Sequence, residues 1–326
     1  MRELTSSEFI ERAHEYDAAV AQTPRIDRFC SSSVWVLPAH HAFLPNHDFW
    51  IHQSEYGFVA LARGEDPHLG TYLHPLEASW ALASPIVGPD VARLTRQFVD
   101  LCRRPELDWN LLFLSGIAPD STHFRELVRG FRRDFSLGLG SNSLRRIADL
   151  EGGLEGFYSR RSSKFRANLR RCRRRAANTG VGYEYFGGRE TSRAGLEHFD
   201  RALAIEERSW KAQADTGIID GPMKVFYRAM LPMLAGLQTL RFMFVTLDGV
   251  DIAYAFGGIF QDTFRGLQMS YHDDYQEHSP GSLAQLALIE RLCEEGVRSY
   301  DLGSDMEYKR QWAEEGLGTV ALIVRK

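Results

Sequence analysis

Apolar residues recur with two different periods along the chain, and the periods mark its elements. Phe165, Leu169, Cys172 and Ala176 are spaced by four, three and four residues, with polar and basic positions between them. That spacing predicts a helix docked by one narrow stripe, stopped at Asn178-Thr179-Gly180. Val91, Leu94, Phe98 and Leu101 predict a second helix over 89–101, and residues 5–20 predict a third, capped by Thr5 or Ser6. Short apolar runs bounded by Gly, Pro, Asn and Asp read as strands. They cover Val34 to Leu37, Phe49 to His52, Phe58 to Ala62, Tyr72 to Leu76 and Trp109 to Leu114. A helix over 121–129 and two strands from Phe131 to Ile147 complete the first half.

Glu151-Gly152-Gly153 marks a boundary, giving domains 1–150 and 151–326. After the Phe165 helix comes a strand from Val181 to Tyr185, then helices over 193–211 and 223–234. Three strands follow over 240–247, 252–260 and 264–271, turned at Asp248-Gly249 and Gln261-Asp262. A helix over 282–295, a strand over 299–302, a short helix over 306–314 and a strand over 318–324 end the chain. The fold class expected is α/β with mixed sheets: two mixed central sheets flanked by helices.

Composition narrows the class. Hydrophobic residues make up 44% and charged residues 25%, which suits a globular chain with a sizeable core, and the net charge of −4 excludes a general polycation. Cys30, Cys102, Cys172 and Cys293 are isolated, so neither a disulfide framework nor a cysteine metal site is expected. His40, His41, His47 and His52 lack metal-ligand spacing, and no metal is expected. No signal peptide and no apolar run of membrane length are visible, so a cytoplasmic protein is expected. Against this even background one segment stands out. Nine basic residues and no acidic one lie between Arg160 and Arg175, so the Phe165 helix should fan its arginines outward.

Three stretches resemble the CelD-type acetyltransferase branch of the GNAT superfamily, related to the Fem-type peptidyltransferases. They are Ser163 to Arg171, Glu206-Glu207-Arg208-Ser209-Trp210-Lys211, and the series Tyr271, Ser279-Pro280-Gly281-Ser282-Leu283, Tyr300-Asp301-Leu302-Gly303 and Tyr308-Lys309-Arg310-Gln311-Trp312. The first half fits only the general layout of a degenerate GNAT half, so the resemblance implies a tandem GNAT-like fold with its chemistry in the second half. It implies an N-acyltransferase that moves an acyl group from acyl-CoA or a related thioester to an amine of a small molecule, amino sugar or peptide. An aminoacyl-tRNA donor, as in Fem-type enzymes, is the alternative, and a non-catalytic scaffold the second.

The resemblance also implies a site. His278, Ser279, Gly281, Ser282 and Leu283 stand where a strand-to-helix loop holds the donor's phosphates on helix N–H groups. Only one glycine is present there, a departure from the usual GNAT loop. Arg166, Arg170, Arg171 and Arg174 suit the phosphates of CoA or of a tRNA acceptor stem. Lys309 would stabilise charge on the reacting carbonyl. Tyr308 and Tyr271 are candidate acids. Glu206, Glu207, Asp301 and Asp305 are candidate bases, with no spacing rule to choose among them. Glu206, Trp210 and Lys211 would line the acceptor side, and Arg265 and Gln268, read from their place on a central strand rather than from the resemblance, would orient substrate.

Overall fold

A computed structural model describes residues 1–209, 211 and 217–326. The chain divides into two compact units, Met1–Leu144 with Leu317–Lys326, and Arg145–Gly316. Sequence placed the divide at 150/151 and left the last strand in the second half. The difference arises because the final strand hydrogen-bonds within the first unit, with Val320 opposite Ile117 and Arg325 opposite Leu111.

The first unit contains β1 (Arg2–Leu4), α1 (Ser6–Glu11), α2 (Ala13–Gln22), α3 (Arg28–Ser31), α4 (Ser33–Phe43), β2 (Asp48–Ser54), β3 (Gly57–Asp66), β4 (Gly70–Pro75), β5 (Ile86–Val87), α5 (Val91–Cys102), β6 (Leu111–Ile117) and α6 (Thr122–Phe131). Strand β7 (Ser136–Asp149) leads out of it. The second unit adds α7 (Gly153–Ser159), α8 (Ser163–Asn178), β8 (Val181–Gly187), α9 (Ser192–Glu206), α10 (Gly221–Gly236), β9 (Leu240–Leu247), β10 (Val250–Phe260), β11 (Thr263–Tyr271), α11 (Pro280–Glu294) and β12 (Ser299–Ser304). Strand β13 (Glu314–Arg325) returns to the first unit.

Both units repeat one topology. In the first, β2, β3 and β4 form an antiparallel meander, α5 crosses over, and β6 pairs parallel to β4 and antiparallel to β13. In the second, β9, β10 and β11 form the meander, α11 crosses over, and β12 pairs parallel to β11 and antiparallel to β7. The fold is therefore mixed α/β, as the element order implied. The β9–β10 turn sits where Asp248 and Gly249 take positive φ of 50° and 80°, the geometry of a tight hairpin.

Several elements differ from the sequence reading. Val34-Trp35-Val36-Leu37 lies in α4, not in a strand, and Val34, Trp35 and Val36 are all buried. A short apolar run has no period to separate a buried helix from a buried strand. The helix over 5–20 is two helices, broken at Arg12; Thr5 caps the first in a capping box with Glu8. The two strands from Phe131 to Ile147 are a single strand, β7. The helix over 193–211 ends at Glu206, and the one over 306–314 is a 3-10 turn, Glu307–Gln311. By contrast α8 buries Phe165, Leu169, Cys172 and Ala176, the stripe its spacing predicts. Ser162 caps it by accepting the Phe165 N–H.

Candidate functional site

The second unit contains a fork between two parallel strands. β11 and β12 pair at three positions only: Thr263 with Ser299, Phe264 with Tyr300, and Arg265 with Asp301. On its other edge β11 pairs with β10, where Phe256 faces Gln268 but Gly257 faces Gly266, leaving Leu267 as an extra residue. Such a bulge bends its strand and ends regular pairing. Gly257 permits it, since a Cβ there would stand 2.0 Å from the Arg265 carbonyl oxygen. Past Gly266, β11 runs on to Tyr271 with no strand on the β12 side among the described residues.

Buried charge collects at the point where the strands part. Arg265 on β11 donates to Asp301 Oδ2 on β12 at 2.6 Å, and Arg145 on β7 reaches the same oxygen at 3.3 Å. Asp301 Oδ1 accepts the Gly303 N–H at 2.7 Å. All three side chains are almost wholly buried. Removing charges from water is costly unless each is paired and hydrogen-bonded, and here one carboxylate serves two guanidiniums.

Lys309 stands on the β12 side. Its Nζ donates to the Ser304 carbonyl at 3.1 Å and lies above Gly303, where a Cβ would come within 3.3 Å of it. Gly303 has φ of 90°, a conformation that favours glycine. Burial, with the Arg265 charge next, pulls the Lys309 pKa down to about 8, against the opposing pull of Asp301. Tyr308 beside it is exposed.

A second polar group lies along β11. Lys211 Nζ donates to the Met269 carbonyl at 2.7 Å and to Gln268 Oε1 at 3.0 Å, with Glu206 Oε1 at 3.7 Å. Glu206 is completely buried, and its other oxygen accepts the Tyr254 hydroxyl at 2.8 Å. Burial lowers the Lys211 pKa, and Glu206 opposes the shift. Gln268 also donates to the Tyr227 hydroxyl at 3.1 Å. Glu207 is exposed past the end of α9, and Trp210 lies outside the described residues.

Past β11 the chain makes a 3-10 turn, Asp273–His278, and enters α11 at Pro280, two residues earlier than the sequence suggested. Pro suits a first helical position because its missing N–H has no helical partner to lose. Ser279, with φ of 56°, is the N-cap, and no side chain caps this helix. Ser282 is inside the first turn, Leu283 is core, and the open side of Gly281 faces the Tyr271 ring, 3.1 Å from a Cβ placed there. Arg175 of α8 donates to the Glu277 carbonyl at 2.5 Å, and Arg173 pairs with Glu290 at 2.5 Å, so α8 is tied to both this turn and α11. Arg170 and Arg174 are exposed with no ion pair among the described residues; Arg171 donates to Asn168, and Arg166 is half-buried.

The structure thus brings together Arg265, Asp301, Lys309, Lys211, Gln268 and Glu206 about the fork. Asp305 is taken by Arg146 and Arg310, which hold its carboxyl well below the usual range. Of that group Arg265, Asp301 and Glu206 are buried and Lys309, Lys211 and Gln268 half-buried; the exposed Tyr308 ring lies 5.8 Å from Lys309 Nζ, and Glu207 and the outward arginines of α8 stand apart. Sequence reasoning missed Arg145, Tyr254, Tyr227 and the Leu267 bulge. Arg145 comes from a strand about 150 positions from its partner Asp301, a pairing no local pattern signals. The paired glycines Gly257-Gly258 in a predicted strand were the available hint of a bulge.

Residues 163–310 match the family model of the acetyltransferase (GNAT) domain. The chain carries a GNAT acetyltransferase domain. Acyl transfer is the activity that goes with it, and the match agrees with the resemblance carried by the Ser163, Glu206 and Tyr271 stretches. Among solved structures, FemX aligns over 98% of this chain and 97% of its own, with TM-score 0.67 and 12% identity. A conserved protein of unknown function from Bacteroides thetaiotaomicron aligns over 96% and 97%, with TM-score 0.60 and 14% identity. The C-terminal domain of a putative lysylphosphatidylglycerol synthetase from Agrobacterium fabrum aligns over 98% and 92%, with TM-score 0.59 and 16% identity. At these identities the likeness is one of fold. No curated protein matches the chain. Among the described residues no three His, Cys, Asp or Glu side chains gather as metal ligands, and no helix is long and apolar enough to cross a membrane.

Proposed function

We propose that this GNAT domain transfers an acyl group from a thioester, acyl-CoA or a relative of it, to an amine on a small molecule, amino sugar or peptide. The observation that carries the reading is the fork: β11 and β12 part directly after Arg265 and Asp301, and Lys309 lies just beyond the parting. An unpaired strand edge next to the buried Arg265 guanidinium and the half-buried Lys211 ammonium suits an extended donor whose carbonyl gains negative charge as it reacts. The N-terminus of α11, with no side-chain cap, supports a phosphate-holding role for the turn ending at His278 and Ser279.

An aminoacyl-tRNA donor is the second reading, favoured by one observation. The exposed Arg170, Arg171 and Arg174 lie on a helix tied to that same turn through Arg175. A thermal-shift series with acetyl-CoA, longer acyl-CoAs and aminoacyl-tRNA separates the two. Saturation about 100-fold above Kd adds about 2.7 kcal/mol of stability, enough to read. A shift with an acyl-CoA supports the first reading, and a shift with aminoacyl-tRNA that disappears at high salt supports the second. No shift with any donor removes both and leaves a non-catalytic scaffold.

A further inference from the structure

The fork has a lysine on each side, and their surroundings differ. Among the described residues three oxygens lie near the ammonium of Lys211, on the β11 side: the Met269 carbonyl at 2.7 Å, Gln268 Oε1 at 3.0 Å and Glu206 Oε1 at 3.7 Å. Glu206 is fixed in turn by the buried Tyr254 hydroxyl. Lys309, on the β12 side, makes one hydrogen bond among the described residues, to the Ser304 carbonyl, and its ammonium lies 5.8 Å from the centre of the Tyr308 ring. The charges that bear on it are Arg265, Asp301, Lys211 and Asp305, and burial with the two cations lowers its pKa to about 8. The amine that reacts must also lose a proton to some base. Among the described residues the carboxylates at the fork are engaged: Asp301 by Arg265, Arg145 and the Gly303 N–H, Asp305 by Arg146 and Arg310, and Glu206 by the Tyr254 hydroxyl on one oxygen, with the Lys211 ammonium 3.7 Å from the other.

We propose that the two lysines divide the acyl transfer put forward above, on which this inference rests: Lys211, positioned by Glu206, is the cation that polarises the donor carbonyl, and neutral Lys309 is the base that receives the acceptor's proton. The acceptor nitrogen attacks the thioester carbonyl carbon and a C–N bond forms. The carbonyl π electrons move to oxygen beside the Lys211 ammonium, then return as the C–S bond breaks. The sulfur leaves with that electron pair as a thiolate. The proton lost from nitrogen goes to Lys309 Nζ and from there to the thiolate, so atoms and charge balance within donor, acceptor and protein.

Charge and basicity make opposite demands, so substitution with arginine separates them, because a guanidinium stays protonated at any working pH. In the parent, kcat/KM with an acyl-CoA and a primary amine should rise through an ionisation near pH 8 and level off above it. Lys309→Arg and Lys309→Met should both lower kcat by about 10²- to 10⁴-fold and erase that ionisation. Lys211→Met should lower kcat by about 10²- to 10³-fold. Lys211→Arg should recover part of that loss, and Glu206→Gln should fall between. An active Lys309→Arg enzyme, a parent rate that falls through pH 8, or a Lys211→Met rate equal to the parent would each overturn the assignment. A second measurement needs no turnover: competitive labelling of Lys309 with an amine-reactive reagent across pH, read by mass spectrometry. Its midpoint should lie near 8 and move upward in Lys211→Met, which removes a neighbouring cation. An unmoved midpoint overturns the pairing of the lysines, whereas a moved midpoint in a protein that acylates no amine retains the pairing and discards the acyl-transfer reading.

Discussion

The two units share a strand order but treat the parting of their parallel strands in opposite ways. In the first, β4 and β6 pair at Tyr72–Leu111 and Leu73–Leu112 only, an even shorter contact than at β11 and β12. Yet the space beyond is filled by the chain itself. A Cβ on Gly116 of β6 would meet the Leu82 carbonyl oxygen at 2.4 Å and main-chain atoms of Ala83 and Ser84 within 2.6 Å. Ser115 holds that segment by donating to the Ala83 carbonyl, and buried Glu77 accepts the N–H groups of Trp80, Ala81, Leu82 and Ala83. In the second unit the glycine at the matching place, Gly303, faces the end of a lysine side chain. The strands part in both units; at Gly116 main chain of a loop stands within 2.6 Å, while at Gly303 only side-chain ends, of Lys309 and Arg265, come within 4 Å among the described residues. The plugged unit spends its buried carboxylate on main-chain N–H groups, while the open unit spends Asp301 on two arginines.

The strongest way to break this contrast is to remove Asp301. Asp301→Ala leaves Arg145 and Arg265 buried without the carboxylate they share, and loss of one partner of a buried ion pair costs about 3–5 kcal/mol. Denaturant unfolding should show that loss. A change below about 1 kcal/mol would mean that the arginines are held by something else and that Asp301 is not the centre of the fork.

A matched pair of glycine substitutions sharpens the contrast at smaller cost. Both positions have positive φ, 67° at Gly116 and 90° at Gly303, so alanine is strained at each. At Gly116 the new methyl meets backbone that cannot move aside, and overpacking should bring the total to about 2–4 kcal/mol with turnover per folded molecule unchanged. At Gly303 it meets a flexible ammonium end. Gly303→Ala should cost about 1–2 kcal/mol but displace Lys309 and slow turnover about tenfold. Equal effects on rate at the two glycines would remove the distinction between a plugged and an open fork.

Much of the open unit was legible in sequence, and the reasons are local. Asp248-Gly249 fixes a hairpin, Asn178-Thr179-Gly180 stops a helix, and a single apolar stripe tells how α8 docks. Asp301 and Lys309 were reached through short motifs, and Arg265 through its place on a predicted central strand. What stayed hidden depends on partners remote in sequence. The Leu267 bulge is a mismatch of register between strands, and registers are set by pairing that one strand's pattern does not contain. The second unit's last antiparallel strand is β7, which precedes all its other strands, and β13 returns to the first unit. The helical Val34-Trp35-Val36-Leu37 run was misread because it is apolar on every side.

The smallest expected effect tests the arginines that sequence made most conspicuous. Arg145 and Arg265 are buried and fixed by a carboxylate, whereas Arg170, Arg171 and Arg174 face solvent. Reversing the three together, as Arg170→Glu, Arg171→Glu and Arg174→Glu, should change stability by no more than about 0.5 kcal/mol, because exposed positions away from caps and core seldom matter. Donor affinity should respond instead. If these side chains meet donor phosphates, the triple variant binds more weakly and its affinity depends less on salt. For a tRNA 3′ strand, losing three contacts flattens the slope of log K against log salt by about 2. Binding titrations at three or four salt concentrations measure both quantities. An unchanged slope assigns α8 to a solvated face and leaves the fork to hold its donor without it, since the buried cations about Asp301 are the ones that salt reaches least.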